Sequence, residues 1–243
     1  MKDFIRFLRI YFLRILSRIC SRSLDIHGSI LIIAPHPDDE VFGCSGLIQR
    51  CQSRGEQVFI CVLTGGEKSH EKCCNIAETE LKLERRKLAK TINAQLGVSK
   101  EHLILLDFPD GKISFDCEEC SKLNELICKI QPKNVFIPHN KAEGWSDHIE
   151  SGNIIKRLVK GKDIYLYEYC VWFWYYNVYS LHWNASCKIT MTEQEHRNKL
   201  KAIHDYITPL APCGKPYSGV LPPVFIRGNQ WKNELYFKLG NQK

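Results

Sequence analysis

The sequence lacks several features that would set it apart from ordinary globular proteins. It has no internal repeat and no low-complexity linker, and these absences exclude a solenoid and a string of tethered domains. Its most apolar segment, residues 4–19, is interrupted by arginines and is shorter than the roughly twenty residues that cross a bilayer. No small-residue cleavage site follows that segment, so we do not expect a signal peptide. The 243 residues, 44% of them hydrophobic, are enough for one sizeable core.

Cysteine is plentiful, but it is not arranged as a disulfide scaffold or a zinc knuckle. Twelve cysteines in 243 residues fall below the density of disulfide-stapled domains, and several, such as Cys61, stand in apolar segments. The close pairs Cys117/Cys120 and Cys73/Cys74 do not have the spacing of two matched pairs. We therefore expect thiols in a cytoplasmic protein, with a redox or metal role for the close pairs as the alternative.

Positive charge is concentrated at the start of the chain. The formal net charge is +7, and residues 1–24 hold six basic side chains against one acidic side chain, so the remainder is nearly balanced. A balanced body argues against nucleic-acid binding. Apolar residues are interleaved with the arginines, which predicts a basic amphipathic helix over residues 1–24 that lies on an anionic membrane surface. The alternatives are a helix docked on the core or on a second subunit of an oligomer.

Short apolar runs alternate with amphipathic segments through residues 25–243. Strands are predicted at 29–34, 57–64, 102–106, 134–138, 163–169 and 231–237. Helices are predicted at 44–54, 76–96, 117–130 and 148–159. Because strands alternate with helices, we expect a single α/β domain, a Rossmann-like three-layer sandwich with a mostly parallel sheet. The proline-rich segment after residue 209 disfavours continuous helix, and we expect it to cover the site.

The segment Leu31–Glu40 is an apolar run that ends abruptly in one histidine and three acids. The run is β-branched and uncharged, as in a strand buried on both faces, and two prolines end it. The charges that follow would be costly to bury unless something binds or pairs with them. His36 and Asp39 are three residues apart, so a tight turn brings both onto one cation and leaves Asp38 for proton chemistry. The alternative is that the acids occupy the first turn of the next helix, where negative charge suits the dipole.

A second apolar run, residues 134–138, leads to Trp145, Ser146, Asp147 and His148. In open α/β sheets, ligands bind beyond the carboxyl ends of the strands, so loops from two distant strands can meet there. His148 is therefore the third predicted metal ligand, and Asp147 is a candidate to hold its ring in position. Two histidines and one carboxylate with a free fourth position describe a catalytic zinc site.

These segments resemble the PIG-L/LmbE-type zinc-dependent N-deacetylases, whose hallmark is A-H-P-D-D-E with a later H-P-D-H. Residues 34–40 read APHPDDE and residues 146–148 read SDH. Residues 64–67 (TGGE) are similar to the family's T-x-G-E, and residues 109–111 match its P-D-G. The resemblance covers roughly residues 29–150. It implies a Rossmann-like fold and removal of the acetyl group from an N-acetylglucosamine-type sugar.

The resemblance also implies roles for single residues. By it, His36, Asp39 and His148 bind one zinc ion per chain, and Asp38 is the general base. Arg85 and Asp110 would hold the sugar.

Two positions depart from the family pattern. Trp145 stands where H-P-D-H has its first histidine, which usually assists the tetrahedral intermediate or the leaving amine. Residues 206–209 read YITP where the family often has H-x-S-Q. Asp38 alone can move the proton in both directions, or His139, His182 or His204 takes the missing role from another loop.

Aromatic residues are dense between Tyr165 and Trp183. Such density is typical of a core or a subunit interface, and a sugar-stacking wall is the alternative.

We therefore expect a cytoplasmic zinc-dependent N-deacetylase, peripheral on the membrane, that acts on a lipid- or nucleotide-linked amino sugar in glycan biosynthesis. The alternative is a catalytically silent sugar-binding or scaffold protein of the same fold, in which Trp145 has removed a needed group. A third option is hydrolysis of a different amide, such as a thiol-conjugate cap.

Overall fold

The computed structural model describes residues 2–71, 74–141, 143–176 and 181–243. The helices are α1 (Lys2–Cys20), α2 (Asp39–Ser53), α3 (Glu78–Gln95), α4 (Glu118–Ile130), α5 (Ser146–Leu158), α6 (Glu193–Ile207) and α7 (Pro223–Asn229). The strands are β1 (Arg22–Ser23), β2 (Ile30–Ala34), β3 (Val58–Val62), β4 (Leu103–Leu105), β5 (Asn134–Pro138), β6 (Tyr165–Tyr169), β7 (Ser186–Thr190) and β8 (Asn233–Asn241). Short 3-10 helices lie at Lys100–His102, Trp172–Trp174 and Trp183–Ala185.

The strands form one sheet in the order β1-β7-β8-β6-β5-β2-β3-β4. All neighbouring pairs are parallel except the two that involve β8, which runs antiparallel to both β6 and β7. The chain moves outward from β2 to β3 and β4, then returns to place β5 on the other side of β2. The expected Rossmann-like, mostly parallel sheet is confirmed, and its order reverses between β2 and β5.

β2 lies in the centre of the sheet and is completely buried. Its side chains alternate between the two faces, as the two-residue period of a strand requires. Ile30, Ile32 and Ala34 pack into the core under α2 and α6, whereas Leu31 and Ile33 pack into the core under α4 and α5. Hydrophobic layers on both faces explain why the run carries no charge.

A buried ion pair anchors α2 to the sheet. Lys199 of α6 donates to Glu234 of β8 at 2.8 Å, and both side chains are almost fully buried. The Glu234 carboxylate also accepts the backbone N–H groups of Gly46 and Leu47 in α2. Removing one partner of such a pair costs about 3–5 kcal/mol, since the remaining charge is left buried. This anchor holds the helix whose first turn carries the acidic motif.

The start of α2 differs from the sequence prediction. The helix was expected from residue 44, but it begins at Asp39, so Asp39 and Glu40 do occupy its first turn. Both are buried and hydrogen-bonded, so they are not simply solvated charges near a helix dipole. The remaining predicted helices and strands agree with the structure to within about two residues, apart from the last strand, which extends four residues further. Four elements were not predicted: the two-residue strand β1, strand β7, and helices α6 and α7.

Helix α1 lies against the body of the protein. Ile10 and Leu13 are buried against Trp174, Val224 and Trp231. Arg9 and Arg14 donate to backbone carbonyl groups of the body, so two of its arginines hold the helix in place. Across the described residues, no helix combines the length and the apolarity that a membrane span requires.

Candidate active site

The acidic motif and the second histidine segment lie at the same edge of the sheet. β2 and β5 are hydrogen-bonded parallel neighbours, with Ile32 opposite Phe136. The residues that follow both strands therefore emerge side by side at the point where the strand order reverses, which is the usual ligand position in such sheets. A cavity of about 380 Å³ opens there, and His36, Asp39 and His148 are among its lining residues.

His36 and Asp39 are joined by the turn that follows β2. The Asp39 carboxylate accepts the backbone N–H of His36 at 2.9 Å, and the same oxygen lies 3.3 Å from His36 Nδ1. The other ring nitrogen, Nε2, lies 3.1 Å from Asp110 and 3.4 Å from Asp147. A proton on Nε2 is therefore held by carboxylates, and Nδ1 faces the Asp39 oxygen, so that either a proton or a metal ion fits between them.

His148 is completely buried at the start of α5. Its Nε2 lies 3.3 Å from the same Asp39 oxygen, and its Nδ1 lies 3.2 Å from Glu143. Neither nitrogen makes a hydrogen bond of good geometry with any other residue that the structure describes. A buried imidazole without hydrogen bonds is costly, and a cation beside Nε2 would satisfy it.

The donor set fits a divalent metal ion. His36, Asp39 and His148 each offer a ligand atom, and these atoms lie within 4.8 Å of one another. Zinc bonds of about 2.0–2.1 Å to nitrogen or oxygen put tetrahedral ligand atoms about 3.4 Å apart, close to the two 3.3 Å separations seen here. Glu143 and Asp110 lie at the remaining nitrogens of the two rings, as carboxylates commonly do behind metal-binding histidines.

A second set of possible ligands overlaps the first. His36, Asp110 and Asp147 also offer atoms within 4.8 Å of one another. However, Asp110 accepts the backbone N–H of Lys68, and Asp147 accepts that of Gly111. Asp39 of the first set also accepts a backbone N–H, so the difference lies in the donors: this set has only one nitrogen and suits zinc less well than the first set.

The partner of His148 differs from the one expected. Asp147 was the candidate to orient that ring, but it contacts His36, and Glu143 lies at His148 Nδ1. Glu143 is fully buried and accepts the backbone N–H groups of residues 171–173. Sequence reasoning missed Glu143, since its partners come from the end of β6 and leave no local pattern.

Asp38 is not in the group formed by His36, Asp39 and His148. Its backbone has φ 135°, a conformation that costs a non-glycine residue of the order of 1–3 kcal/mol. Its carboxylate accepts a hydrogen bond from Arg85 at 3.0 Å, and both residues line the cavity. Arg85 also donates to the carbonyl groups of Pro37 and Gly66, so it joins the turn after β2 to the loop after β3.

Glu40 supports this strained turn, although sequence reasoning gave it no role of its own. Its carboxylate accepts the backbone N–H of Asp38 at 3.0 Å. Asn93 of α3 and Tyr206 of α6 donate to its other oxygen at 2.8 and 2.7 Å. Three donors from three segments fix Glu40, which in turn fixes the backbone of Asp38.

The electrostatics of the site favour a cation. Burial disfavours charge on His36, but hydrogen bonds with Asp110, Asp147 and Asp39 outweigh it and raise the pKa of His36 well above its usual value. The same balance holds at His148. Burial opposes its protonation, but Asp39 favours it more strongly, and the pKa of His148 is raised to about 9. Without a metal ion, protonated His36 and His148 therefore balance the negative charge of the neighbouring carboxylates at neutral pH.

The pKa of the Asp38 carboxyl is raised, whereas an acid that is paired with a base at the protein surface usually has a lowered pKa. Burial raises the pKa of Asp38 to about 8, and the positive charge of Arg85 acts against this rise. Burial thus raises the pKa of Asp38, whereas the pKa values of the neighbouring Asp39 and Asp110 carboxyls are lowered.

Trp145 lies at the mouth of the cavity and is 47% exposed. Its ring meets that of Trp172 edge to face, with centroids 5.5 Å apart, and both line the cavity. Phe173 and Trp174 are buried in the core. The aromatic segment thus contributes both to the core and to the cavity wall; residues 177–180 lie outside the described residues.

None of the three histidines considered as substitutes at Trp145 is among the described residues that line the cavity. His139 is buried, and burial lowers its pKa. His182 and His204 are exposed elsewhere. Residues 218–221 do line the cavity, in agreement with the expectation that the proline-rich segment covers the site.

The pair Cys117/Cys120 consists of two thiols. Both sulfur atoms donate to the Ser114 carbonyl oxygen, at 3.3 and 3.4 Å. Burial raises the pKa of Cys120 to about 12, which makes it a poor nucleophile. Cys73 lies outside the described residues.

The chain is similar to known proteins both in sequence and in fold. The family model described as PIG-L: GlcNAc-PI de-N-acetylase matches residues 31–159. A diacetylchitobiose deacetylase from Thermococcus kodakarensis is 32% identical over 125 residues, which are 51% of this chain and 46% of that protein. The chain thus spans about half the length of this curated relative.

Two solved structures show the extent of the fold similarity. The N,N'-diacetylchitobiose deacetylase from Pyrococcus horikoshii has a TM-score of 0.60 and 22% identity, covering 80% of this chain and 77% of that one. GalB from Pseudomonas putida, a 4-carboxy-2-hydroxymuconate hydratase, has a TM-score of 0.63 and 15% identity, covering 88% and 96%. The fold alone therefore hosts more than one reaction.

The family match does not depend on fold similarity. It covers more than half of the chain, and it contains both segments that carry His36, Asp39 and His148. The chain belongs to the PIG-L, GlcNAc-PI de-N-acetylase, family.

Proposed function

We propose that the chain is a metal-dependent N-deacetylase that hydrolyses the acetamide of an N-acetylglucosamine-type sugar conjugate to acetate and a free amine. The observation that carries this proposal is the convergence of His36, Asp39 and His148 at the floor of a cavity, with Asp38 beside them. Family membership and the named deacetylase relatives support the same reaction class.

His36 Nδ1, Asp39 and His148 Nε2 are the groups that would hold the ion. When bound, a zinc ion supplies Lewis-acid polarisation of a carbonyl group and acidifies water. Asp110 and Glu143 keep the two imidazole rings in the orientation and tautomer that binding requires.

Asp38 is the proposed proton carrier. It accepts a proton from the attacking water and returns it to the nitrogen of the leaving amine, so one carboxyl serves both half-reactions. Arg85 holds the carboxylate in place, and Glu40 holds its backbone. This arrangement compensates for the tryptophan that stands at position 145.

Sugar recognition is assigned to the rim of the cavity. Trp145 and Trp172 present aromatic surface on which a sugar ring can stack. Arg85 and Asp110, the residues expected to hold the sugar, line the cavity, but each is also paired within the site, with Asp38 and His36 respectively. We propose that Arg85 positions Asp38, that Asp110 positions His36, and that both also contact the sugar.

The charge of the cavity constrains the rest of the substrate. Five carboxylates line it, together with Lys68, Arg85 and the two imidazoles of His36 and His148. Arg85 and both imidazoles are already paired with carboxylates, so a phosphate of a lipid- or nucleotide-linked substrate is best placed outside the cavity, beyond the aromatic rim. We favour the lipid-linked form because of α1.

Helix α1 carries a second apolar stripe opposite the one that packs on the core. Its members are each 52–76% exposed: Phe4, Ile5, Leu8, Tyr11, Phe12, Ile15 and Ile19. At 100° per residue they cover one side of the helix, and Arg9, Arg14 and Arg18 lie along the seams. An exposed apolar stripe of this size marks a surface that meets a partner or a lipid bilayer.

A basic cavity of about 560 Å³ lies beside this stripe. Arg14, Arg18, Lys188, Arg227 and Lys232 contribute to its lining. Burial, followed by the neighbouring charge of Arg227, lowers the pKa of Arg14 to about 10. An anionic lipid headgroup would balance the five basic side chains of this cavity, so the proposed occupant is an anionic membrane surface. A cytoplasmic location for this contact stays a prediction.

Free-amine release tests the proposed reaction. Purified protein is incubated with N-acetylglucosaminyl-phosphatidylinositol, diacetylchitobiose and UDP-N-acetylglucosamine, and the products are measured by mass spectrometry. We expect amine from at least one substrate, loss of turnover with a chelator, and recovery on adding zinc. Fully zinc-loaded protein that releases no amine from the panel would support the silent sugar-binding alternative and contradict the proposal.

Vesicle sedimentation tests the membrane contact. The wild-type protein should sediment with phosphatidylserine-containing vesicles, and the double variant Leu8→Ser/Phe12→Ser should remain in solution. Leu83→Ser on α3, which removes an equally exposed apolar side chain elsewhere, is the matched control. Point substitutions are preferable to removing α1, because its loss would uncover the core beneath. A dimer in solution that Leu8→Ser/Phe12→Ser dissociates would contradict the membrane assignment.

A further inference from the structure

A second group of metal-binding side chains lies outside the site described above. His70 Nδ1 is 3.3 Å from Cys74 Sγ and 3.5 Å from Cys213 Sγ. The three ligand atoms lie within 4.8 Å of one another. We call these residues the thiol cluster.

The tautomer of His70 is fixed from the other side of its ring. His70 is 2% exposed, and its Nε2 lies 2.8 Å from the carbonyl oxygen of Pro216. A carbonyl oxygen can only accept, so Nε2 carries the proton and Nδ1 offers its lone pair to the two sulfurs. A backbone carbonyl behind a histidine is a recurring support for a metal-binding ring.

The separations fit a zinc ion ligated by sulfur. Bonds of about 2.3 Å to sulfur and 2.0–2.1 Å to nitrogen place tetrahedral ligand atoms about 3.6 Å apart, near the two separations observed. One imidazole lone pair can accept one S–H donor, whereas a cation interacts with the lone pair and both sulfurs at once. Two sulfurs and one imidazole favour zinc over magnesium or calcium.

The local backbone brings these residues together. Cys74 follows His70 by four residues, and its backbone N–H lies 3.5 Å from the His70 carbonyl oxygen. Cys213 lies at the tip of a tight hairpin in which Leu210 and Pro216 form a β-bridge. These backbone contacts hold the ligand positions near one another before any ion binds.

These two loops are walls of the catalytic cavity. Lys68 and Ser69 line it from the loop after β3, and Ser218 and Gly219 line it from the loop after α6. Apart from the thiol cluster, Ser69 donates to the Tyr217 carbonyl oxygen across the same junction. An ion bound here would fasten the two walls together.

We infer that His70, Cys74 and Cys213 bind a structural zinc ion, distinct from the ion of the catalytic cavity. Water or a further ligand completes its coordination. The inference does not depend on the proposed deacetylase activity, since its ligands and its readouts are separate.

Zinc content of the full chain, purified under reducing conditions, tests this inference. We expect two equivalents in the wild-type protein, one in Cys213→Ser, and one in His148→Ala. Cys128→Ser, which removes an exposed thiol on α4, is the matched control and should keep two. A Cys213→Ser protein with as much zinc as the wild type would overturn the site.

Cobalt substitution gives a readout that needs no mutation. Cobalt-loaded wild-type protein should show the near-ultraviolet charge-transfer band of thiolate ligation, and the band should persist in His148→Ala and disappear in Cys74→Ser. Absence of the band from the wild-type protein would contradict thiolate ligation. A Cys74–Cys213 disulfide, mapped by mass spectrometry of the protein as isolated, would contradict it as well.

Discussion

Two clusters of metal-binding side chains adjoin one cavity, and they differ in donors, position and surroundings. The first, His36, Asp39 and His148, is built from imidazole and carboxylate groups at the ends of adjacent parallel strands, and it faces the cavity. The thiol cluster is built from sulfur and one imidazole in two loops. Nitrogen and oxygen donors with an open side suit a reactive ion, whereas thiolates suit a permanent one. By its donors and its position in the cavity, the first cluster suits a catalytic ion, whereas the thiol cluster suits a structural one.

The largest effect should follow from Asp38→Asn. The amide keeps the shape of the side chain but cannot carry the proton, so turnover should fall by about 10²–10⁴. Zinc content should stay at the wild-type value, because Asp38 pairs with Arg85 and is not in the ligand group. Steady-state amine release and zinc analysis measure the two properties together. Asp116→Asn, at an exposed position, is the control. Turnover of Asp38→Asn within a few-fold of the wild type would contradict its role.

Glu143→Gln should weaken metal binding at the first cluster alone. Loss of the carboxylate behind His148 Nδ1 removes the charge that holds the ring, so zinc affinity there should fall by about 10–100-fold. Competition with a chromophoric chelator measures this change. The cobalt–thiolate band should be unaltered, and its loss would show that the two clusters are not independent.

Metal uptake at the first cluster should depend on pH. The pKa of His148 in the metal-free protein is about 9, so an incoming cation must displace a proton at neutral pH. Apparent affinity should rise about tenfold per pH unit for each proton displaced, and the rise should flatten above about pH 9.

The linked effect on stability has the opposite sign. Protonated His148 stabilises the metal-free fold fully below about pH 6.5, and this contribution is lost as the pH rises through about 9. Calorimetric titration with zinc and melting of the metal-free protein over this range measure both trends. An affinity that does not change between pH 6.5 and 9 would contradict the assignment of His148 as a ligand.

The smallest effect on turnover should follow from Cys213→Ser. Cys213 is not among the described residues that line the cavity, so kcat should change by less than about threefold. The melting temperature should fall, because an ion that binds only the folded state stabilises it. Thermal melting and kcat measured on the same preparation test the contrast. A loss of kcat as large as that of Asp38→Asn would mean that the thiol cluster takes part in the reaction.

The sequence predicted the centre of the fold and the first cluster because both have local patterns. β2 and β5 read as buried strands, and the charged residues that follow each strand had to emerge at one edge of the sheet. The edge of the sheet was harder to predict, since β1, β7 and the antiparallel β8 are joined by pairing between distant segments. Helix α6 was missed although Thr192 and Glu195 form a capping box, a signal that was present in the sequence.

The supporting residues could not be predicted in the same way. Glu143 acts through backbone donors at residues 171–173, and Cys213 meets His70 across 143 positions of sequence. Such contacts depend on where the loops run after the sheet has formed, and no spacing in the sequence encodes them. Glu40 stands inside the acidic motif, but its donors Asn93 and Tyr206 lie 53 and 166 positions away, so its supporting role was hidden for the same reason.

The most direct test is an anomalous difference map from zinc-loaded crystals, recorded on both sides of the zinc absorption edge. We predict a peak about 2.0–2.2 Å from His36 Nδ1, Asp39 and His148 Nε2. A peak held instead by His36, Asp110 and Asp147, or none near His148, would contradict the account.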